Sequence, residues 1–147
     1  MRKLLLLLGL AAACAQPREY SGPDITMGGK ARDRVIVMTE ALVTKEGGPK
    51  EALAAFGEAY AFDPATIAVR QERPTEIVFW NLQADDDHDF MLLDSHGEVV
   101  FRTKLLPLQK PSFVFTFHRP GLYRFYCTMH QPEMSGAFVV TPQPQRR

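Results

Sequence analysis

Residues 120–140, PGLYRFYCTMHQPEMSGAFVV, are the stretch that decides the fold of this chain. A turn at the start of the stretch leads into alternating apolar and polar residues, and the stretch ends in a second apolar run. Between the two runs lie a thiol, an imidazole and a thioether, contributed by Cys127, His130 and Met134. The pattern predicts two strands joined by a loop, so that a rigid sheet holds the loop from both ends.

The three side chains of this loop are all groups that bind copper. Upstream, the segment DHDF at residues 87–90 supplies a second imidazole from His88. One thiolate, two imidazoles and a weakly bound thioether form the ligand set of a blue-copper electron-transfer site. The sequence therefore predicts one copper ion per chain, which alternates between Cu(I) and Cu(II).

The cysteine count supports a metal site. The chain has two cysteines, and Cys14 directly follows an apolar N-terminal segment, where processing consumes it or leaves it on a leader. A disulfide between Cys14 and Cys127 is therefore not expected, although exported proteins commonly contain disulfides. An inert buried thiol is the alternative for Cys127, but such a cysteine has no reason to share its loop with histidine and methionine.

The N-terminus predicts export. Residues 1–13 combine a basic start, an apolar run too short to span a bilayer and small residues, which is typical of a signal peptide. The residues before Cys14 resemble a bacterial lipobox, and we predict lipidation of Cys14, with ordinary cleavage after Ala13 or Ala15 as the alternative. Residues 14–33 would form a flexible tether. The protein would then be periplasmic or at the cell surface, and would meet the membrane only through this lipid anchor.

The rest of the chain is long enough for one domain, which we place at residues 34–142, followed by a tail at residues 143–147. Acidic and basic residues balance at 17 each, and no basic block is present. A nucleic-acid partner is therefore not expected. We expect the protein to be a monomer.

The domain is predicted to be all-β. Its apolar residues alternate in short stretches separated by turn signals, which is typical of a β-sandwich. One helix-like stretch, EALAAF, lies within residues 49–56. The predicted strands cover residues 34–38, 66–70, 76–80, 90–93, 98–101, 112–117, 122–126 and 137–140.

The chain resembles the cupredoxin family, the small mononuclear blue copper proteins similar to plastocyanin. The resemblance covers residues 57–141 and rests on FDPATIAV (62–69), EIVFWNLQADDDHDF (76–90) and the stretch at residues 120–140. It implies a Greek-key β-sandwich. Residues 31–56 are an N-terminal extension to the family core, which we interpret as an extra edge strand and a short helix that cover the sandwich.

The resemblance also implies the roles of the metal ligands. His88, Cys127 and His130 match the three strong ligands, and Met134 matches the weak axial ligand. Three residues separate His130 from Met134, which is intermediate between the shorter and longer ligand loops common in small cupredoxins. Gln131 is therefore an alternative axial ligand, since amide oxygens serve in that position in some copper sites.

The neighbours of two ligands are expected to support the site. In the cupredoxin arrangement the two ligand loops lie side by side, so Asp89 and Thr128 would face each other. We predict a hydrogen bond between Asp89 and Thr128, either side chain to backbone or side chain to side chain, which would hold the loops together.

Other polar side chains are predicted to have no part in metal binding. His96 lies at a turn tip and His118 before a turn, so both are interpreted as solvated histidines. The acidic run at residues 85–87 lacks the glycine and distal glutamate of an EF-hand loop, so it is interpreted as a solvated loop rather than a calcium site.

The ligand set predicts a carrier of single electrons that serves redox partner proteins. No acid–base pair or nucleophile motif is present, so we do not expect an enzyme. A copper chaperone or a storage and delivery protein with the same fold is the alternative function. A dinuclear copper site would need a second cysteine in the ligand loop, which this sequence lacks.

Overall fold

The computed structural model describes residues 22–144, so the predicted signal peptide and Cys14 lie outside the described residues. The described part contains ten strands and one helix. In chain order they are β1 (Ile25–Met27), β2 (Asp33–Val43), α1 (Lys50–Phe56), β3 (Ala59–Asp63), β4 (Thr66–Arg70), β5 (Thr75–Asn81), β6 (His88–Leu93), β7 (Val99–Leu105), β8 (Ser112–Phe117), β9 (Gly121–Tyr126) and β10 (Ser135–Thr141).

The strands form two five-stranded sheets that pack face to face. The first sheet has the order β1-β8-β5-β2-β3, and the second has the order β4-β10-β9-β6-β7. The pairs β2–β5 and β4–β10 are parallel, and the remaining pairs are antiparallel. The predicted all-β sandwich is therefore confirmed.

The core between the sheets follows from the alternation along the strands. In β5 the residues at every second position are buried, and Ile77 and Phe79 have no exposed surface. Each fully buried apolar side chain of this size contributes about 1.5–3 kcal/mol. The core is rich in aromatic rings, and those that are almost completely buried are Tyr60, Tyr123, Phe79, Phe90, Phe115, Phe117, Phe125 and Phe138.

The N-terminal extension, residues 31–56, differs from its prediction. Its strand β2 pairs with both β3 and β5, so it is an interior strand and not an edge strand. The reason is that Val37 and Thr39 alternate on its inner face, and each is only 1% exposed. The predicted helix is present as α1, but it has no buried residue and therefore covers little of the sandwich. No helix within residues 22–144 is long and apolar enough to cross a membrane.

Part of the predicted tether, residues 14–33, belongs to the folded domain. Strand β1 pairs with β8 from Ile25 to Met27. Asp24 is 8% exposed and forms an ion pair of 3.1 Å with Arg119. The domain therefore begins before residue 34, where the sequence analysis placed its start. Strand β1 was missed because three residues are too few to show a periodic pattern.

Candidate metal centre

The ligand loop between β9 and β10 is closed by its own hydrogen bonds. The backbone N–H of Cys127 donates to the carbonyl of Met134 at 2.9 Å, and the N–H of Met134 donates to the carbonyl of His130 at 3.0 Å. The Gln131 side-chain amide donates to the carbonyl of Cys127 at 2.7 Å. These bonds hold the three predicted ligands of the loop at fixed backbone positions.

The exit of the loop is fixed by a glycine. A Cβ atom on Gly136 would collide with the carbonyl oxygen of Ala65 and with the ring of Phe125. The next residue, Ala137, donates its N–H to the same Ala65 carbonyl at 2.8 Å. Only glycine lets the chain pass this close to the turn between β3 and β4. The loop therefore enters β10 along a single path.

The second imidazole comes from the first residue of β6. This strand pairs with β9, with Met91 opposite Tyr126, and so brings His88 next to Cys127. His88 and Cys127 both have no exposed surface. The backbone N–H of Asp89 lies 3.5 Å from the Cys127 sulfur and donates to it. The sheet pairing thus places two predicted ligands from distant parts of the sequence side by side.

Three donor atoms converge at this point. The Nδ1 atoms of His88 and His130 are 3.1 Å apart, and the Cys127 Sγ lies 3.6 Å from Nδ1 of His130. The donor atoms of all three residues lie within 4.8 Å of one another. Three donors in a plane, each about 2.0–2.3 Å from a central ion, are separated by about 3.5–3.7 Å. The distance from Cys127 to His130 lies in this range, and the two imidazoles would need to separate by only a few tenths of an ångström. The arrangement and the donor types therefore fit a bound copper ion.

Burial determines the protonation of the ligands. Burial, reinforced by the charge of His130, lowers the pKa of His88 to about 4, so this imidazole is neutral at pH 7. Burial raises the pKa of the Cys127 thiol, and hydrogen bonds from the backbone of Asp89 and Met129 only partly oppose the rise. The thiol is therefore protonated at pH 7, and a bound metal ion would have to displace its proton.

The two candidates for the axial position differ in their surroundings. Met134 is fully buried and belongs to the hydrophobic core cluster that includes Cys127. Gln131 is exposed, and its amide nitrogen already donates within the loop. A thioether held in the core can approach the site without leaving solvent. These positions favour Met134 over Gln131 as the axial ligand.

The predicted contact between Asp89 and Thr128 is confirmed. The Thr128 backbone N–H donates to Oδ1 of Asp89 at 2.6 Å, and the Thr128 hydroxyl donates to Oδ2 at 2.7 Å. Burial alone would raise the pKa of the Asp89 carboxyl, but the hydrogen bonds from Thr128 and Arg102 outweigh it, and the pKa is lowered. The carboxylate is therefore ionised at pH 7 and ties the two ligand segments together.

The family of the chain follows from its match to a known domain. The sequence model of the cupredoxin-like domain family matches residues 4–140. The chain belongs to the cupredoxin-like family. The match begins well before residues 57–141, the span over which the resemblance was recognised, and it includes the strand of the N-terminal extension. No curated protein matches the sequence of this cupredoxin-like chain.

Solved structures share the fold at low sequence identity. Auracyanin B is 15% identical, with a TM-score of 0.60, over 82% of this chain and 97% of its own. Auracyanin A, a "blue" copper protein from the green thermophilic photosynthetic bacterium Chloroflexus aurantiacus, is 18% identical, with a TM-score of 0.51, over 74% of this chain and 99% of its own. A multicopper oxidase is 18% identical, with a TM-score of 0.56, over 77% of this chain and 45% of its own.

Two supporting side chains of the cupredoxin-like site were not recognised from the sequence. The ring of Tyr60 lies against both imidazoles, with centroid distances of 5.1 Å to His88 and 4.4 Å to His130. Its hydroxyl donates to the Asp86 carboxylate at 2.7 Å, so one member of the acidic run is not simply solvated. The amide oxygen of Gln83 lies 3.0 Å from Nε2 of His88. Neither residue has a sequence signal, because each contact depends on the packing of separate strands.

The remaining histidines lie apart from the metal centre. Within residues 22–144, the group of possible metal ligands that the geometry brings together consists of His88, Cys127 and His130. His96 is exposed at a turn tip, as predicted. His118 was predicted to be solvated, and this is wrong. Its side chain is 13% exposed and contacts Glu72 at 2.9 Å and Thr26 at 2.8 Å, because β1 packs over it.

Proposed function

We propose that the protein carries single electrons through a mononuclear type 1 copper site. The observation that carries this proposal is the convergence of one sulfur and two Nδ1 atoms in a buried position. His88, Cys127 and His130 would hold one copper ion, with Met134 as the weak axial ligand. When bound, the copper supplies a Cu(I)/Cu(II) couple that accepts and releases one electron.

The rigidity of the site supports electron transfer. Fast transfer requires that the ligands move little when the electron arrives or leaves. The loop hydrogen bonds hold Cys127 and Met134, and Asp89 ties the loop to β6. These hydrogen bonds would limit the movement of the ligands during electron transfer.

The exposure of the ligands indicates where electrons would enter. His130 is partly exposed, whereas His88, Cys127 and Met134 are fully buried. Its neighbour Met129 is 51% exposed and adds apolar surface beside the imidazole. A redox partner protein would contact this side of the molecule and exchange the electron through His130.

The cellular setting is also part of the proposal. The N-terminal signal pattern and the lipobox-like residues before Cys14 favour an exported protein, held at the membrane by a lipid on that cysteine. The protein would be periplasmic or at the cell surface and would act as a monomer without turning over a substrate.

Copper loading of the full chain tests the electron-carrier proposal. We expect one copper ion per chain and an intense thiolate-to-Cu(II) absorption band that Cys127→Ser abolishes. His96→Ala is the matched control, because His96 is an exposed histidine outside the site, and the band should persist in this variant. A protein that binds zinc but forms no coloured Cu(II) complex would refute the proposal.

Copper delivery or storage remains the alternative function. A delivery protein would release Cu(I) readily to an acceptor, whereas the preformed and buried ligand set favours retention. Measuring the rate of Cu(I) transfer to a chelator, alongside the rate of electron exchange with a small redox protein, separates the two functions. Rapid copper release together with slow electron exchange would favour delivery.

A further inference from the structure

We infer that Gln83 is the residue that positions His88, and that Thr39 on β2 and Asn81 on β5 hold Gln83 in place. This inference rests on the proposed copper site, because it concerns how one of its ligands is oriented. It also gives strand β2 of the N-terminal extension a part in supporting the site.

The chain of hydrogen bonds begins at Asn81, whose side chain has only one possible orientation. Its amide nitrogen donates to the backbone carbonyls of Asp86 and Leu105, each at 2.8 Å. Carbonyl oxygens can only accept, so both N–H groups of the amide are used there. The Asn81 side-chain oxygen must therefore point the other way, where it accepts from the Gln83 backbone N–H at 3.0 Å and lies 3.0 Å from the Thr39 hydroxyl.

The second step fixes the Gln83 side chain. Its amide nitrogen donates to the backbone carbonyl of Thr39 at 3.1 Å, which again leaves only one orientation of the amide. The Gln83 oxygen is then placed between the Thr39 hydroxyl and the His88 ring, and it contacts both. Thr39 is 1% exposed and Asn81 is 2% exposed, so the two residues that hold Gln83 are buried.

The last step determines the state of His88. The Gln83 oxygen accepts only, so the Nε2 atom that faces it at 3.0 Å must carry a hydrogen. The neutral ring then has its lone pair on Nδ1, the atom that faces His130 at 3.1 Å. A histidine that binds a metal through one nitrogen is commonly held by a hydrogen bond from the other, which also strengthens its donor character. Gln83 supplies that bond from the opposite sheet.

Substitutions at Gln83 separate the loss of the acceptor from a change in its charge. Gln83→Met removes the amide oxygen at similar length, and Gln83→Glu keeps an acceptor but makes it negative. Gln143→Met is the matched control, since Gln143 is exposed and follows the end of β10 that is remote from the ligand loop. In metal-free protein with 15N-labelled histidine, we expect a slowly exchanging His88 Nε2–H signal that is present in wild type, Gln83→Glu and Gln143→Met and absent in Gln83→Met.

The copper-loaded variants provide a second readout. Gln83→Met should weaken copper binding by about 10–100-fold, as is common when such a partner is removed. Gln83→Met should also raise the reduction potential, because the imidazole becomes a poorer donor to Cu(II), whereas Gln83→Glu should lower it. A positioning residue predicts these opposite signs, and a merely structural role does not.

Thr39 tests the contribution of β2. Thr39→Val removes the hydroxyl but keeps the shape of the side chain, and Thr39→Ser keeps the hydroxyl. We expect faster exchange of the His88 Nε2–H signal in Thr39→Val and wild-type exchange in Thr39→Ser. Persistence of the signal and of copper affinity in Gln83→Met would overturn the inference. A wild-type protein that binds no copper would refute the proposed function alone, because the metal-free signal still decides whether Gln83 holds His88.

Discussion

Removing the Asp89 carboxylate should loosen the ligand loop and destabilise the metal-free protein by about 2–4 kcal/mol. The two hydrogen bonds from Thr128 to this carboxylate are short, and Asp89 is only 2% exposed. Hydrogen bonds to a charged group contribute about 1.5–3 kcal/mol each. The ion pair with Arg102 adds at most about 1 kcal/mol, since the Arg102 side chain is 60% exposed. The cost of burying the carboxylate offsets part of this sum.

Urea unfolding of the metal-free protein at pH 7 measures this effect. Asp89→Ala should lose the full 2–4 kcal/mol, which is roughly twice the loss expected for Asp89→Asn, because asparagine can still accept from the Thr128 N–H. Asp85→Ala removes the same charge from an exposed position on the neighbouring loop, and it should change the free energy of unfolding by less than about 0.5 kcal/mol. Equal stabilities of Asp89→Ala and Asp85→Ala would refute the reasoning.

The pH dependence and copper retention give two further checks on Asp89. Because the pKa of Asp89 is lowered in the folded protein, its stabilisation is present above the unfolded pKa of about 3.9 and is lost as the pH falls below it. Asp89→Ala should abolish that part of the acid sensitivity. It should also weaken copper retention by about 10–100-fold, measured by competition with a chelator.

Three other substitutions test separate parts of the structure. Met134→Leu should retain copper and raise its reduction potential, measured by voltammetry; if only Gln131→Leu shifts the potential, the axial ligand is Gln131. The pKa of His88 is about 4 when folded and 6.5 ordinarily, so metal-free stability in urea should fall by up to about 3 kcal/mol as the pH drops through this range, and His88→Gln should remove that fall. Gly136→Ala should lower the thermal midpoint through a loss of about 2 kcal/mol or more, whereas Gly47→Ala, with no atom closer than 3.7 Å, should not.

The part of the site that the sequence predicted is the part encoded locally. Cys127, His130 and Met134 lie within eight residues, and their order alone indicates a ligand loop. His88 could be added because its segment matches a known family pattern. The hydrogen bond from Thr128 to Asp89 could be predicted as well, since each partner directly follows a predicted ligand.

The missed parts depend on pairings between distant residues. Strand β2 was assigned to an edge because the family core does not require residues 31–56, and the alternation along β2 does not indicate which strands flank it. Thr39 and Gln83 are 44 residues apart, and no pattern in the sequence indicates that their side chains meet. The predicted strand at residues 66–70 is present as β4, but the preceding strand β3 was not predicted, and it belongs to the other sheet. Periodicity cannot report where a strand changes sheets.

The candidate metal centre consequently depends on both sheets of the sandwich. Cys127 and His130 follow β9 of the second sheet, while Gln83 follows β5 of the first. His88 begins a strand of the second sheet, but its Nε2 atom is hydrogen-bonded to Gln83. The His88 ring therefore connects the two sheets. The orientation of the His88 ring therefore depends on how the two sheets pack together. A metal that binds this arrangement and not the unfolded chain must stabilise the fold, by an amount that grows with the logarithm of its concentration over its dissociation constant.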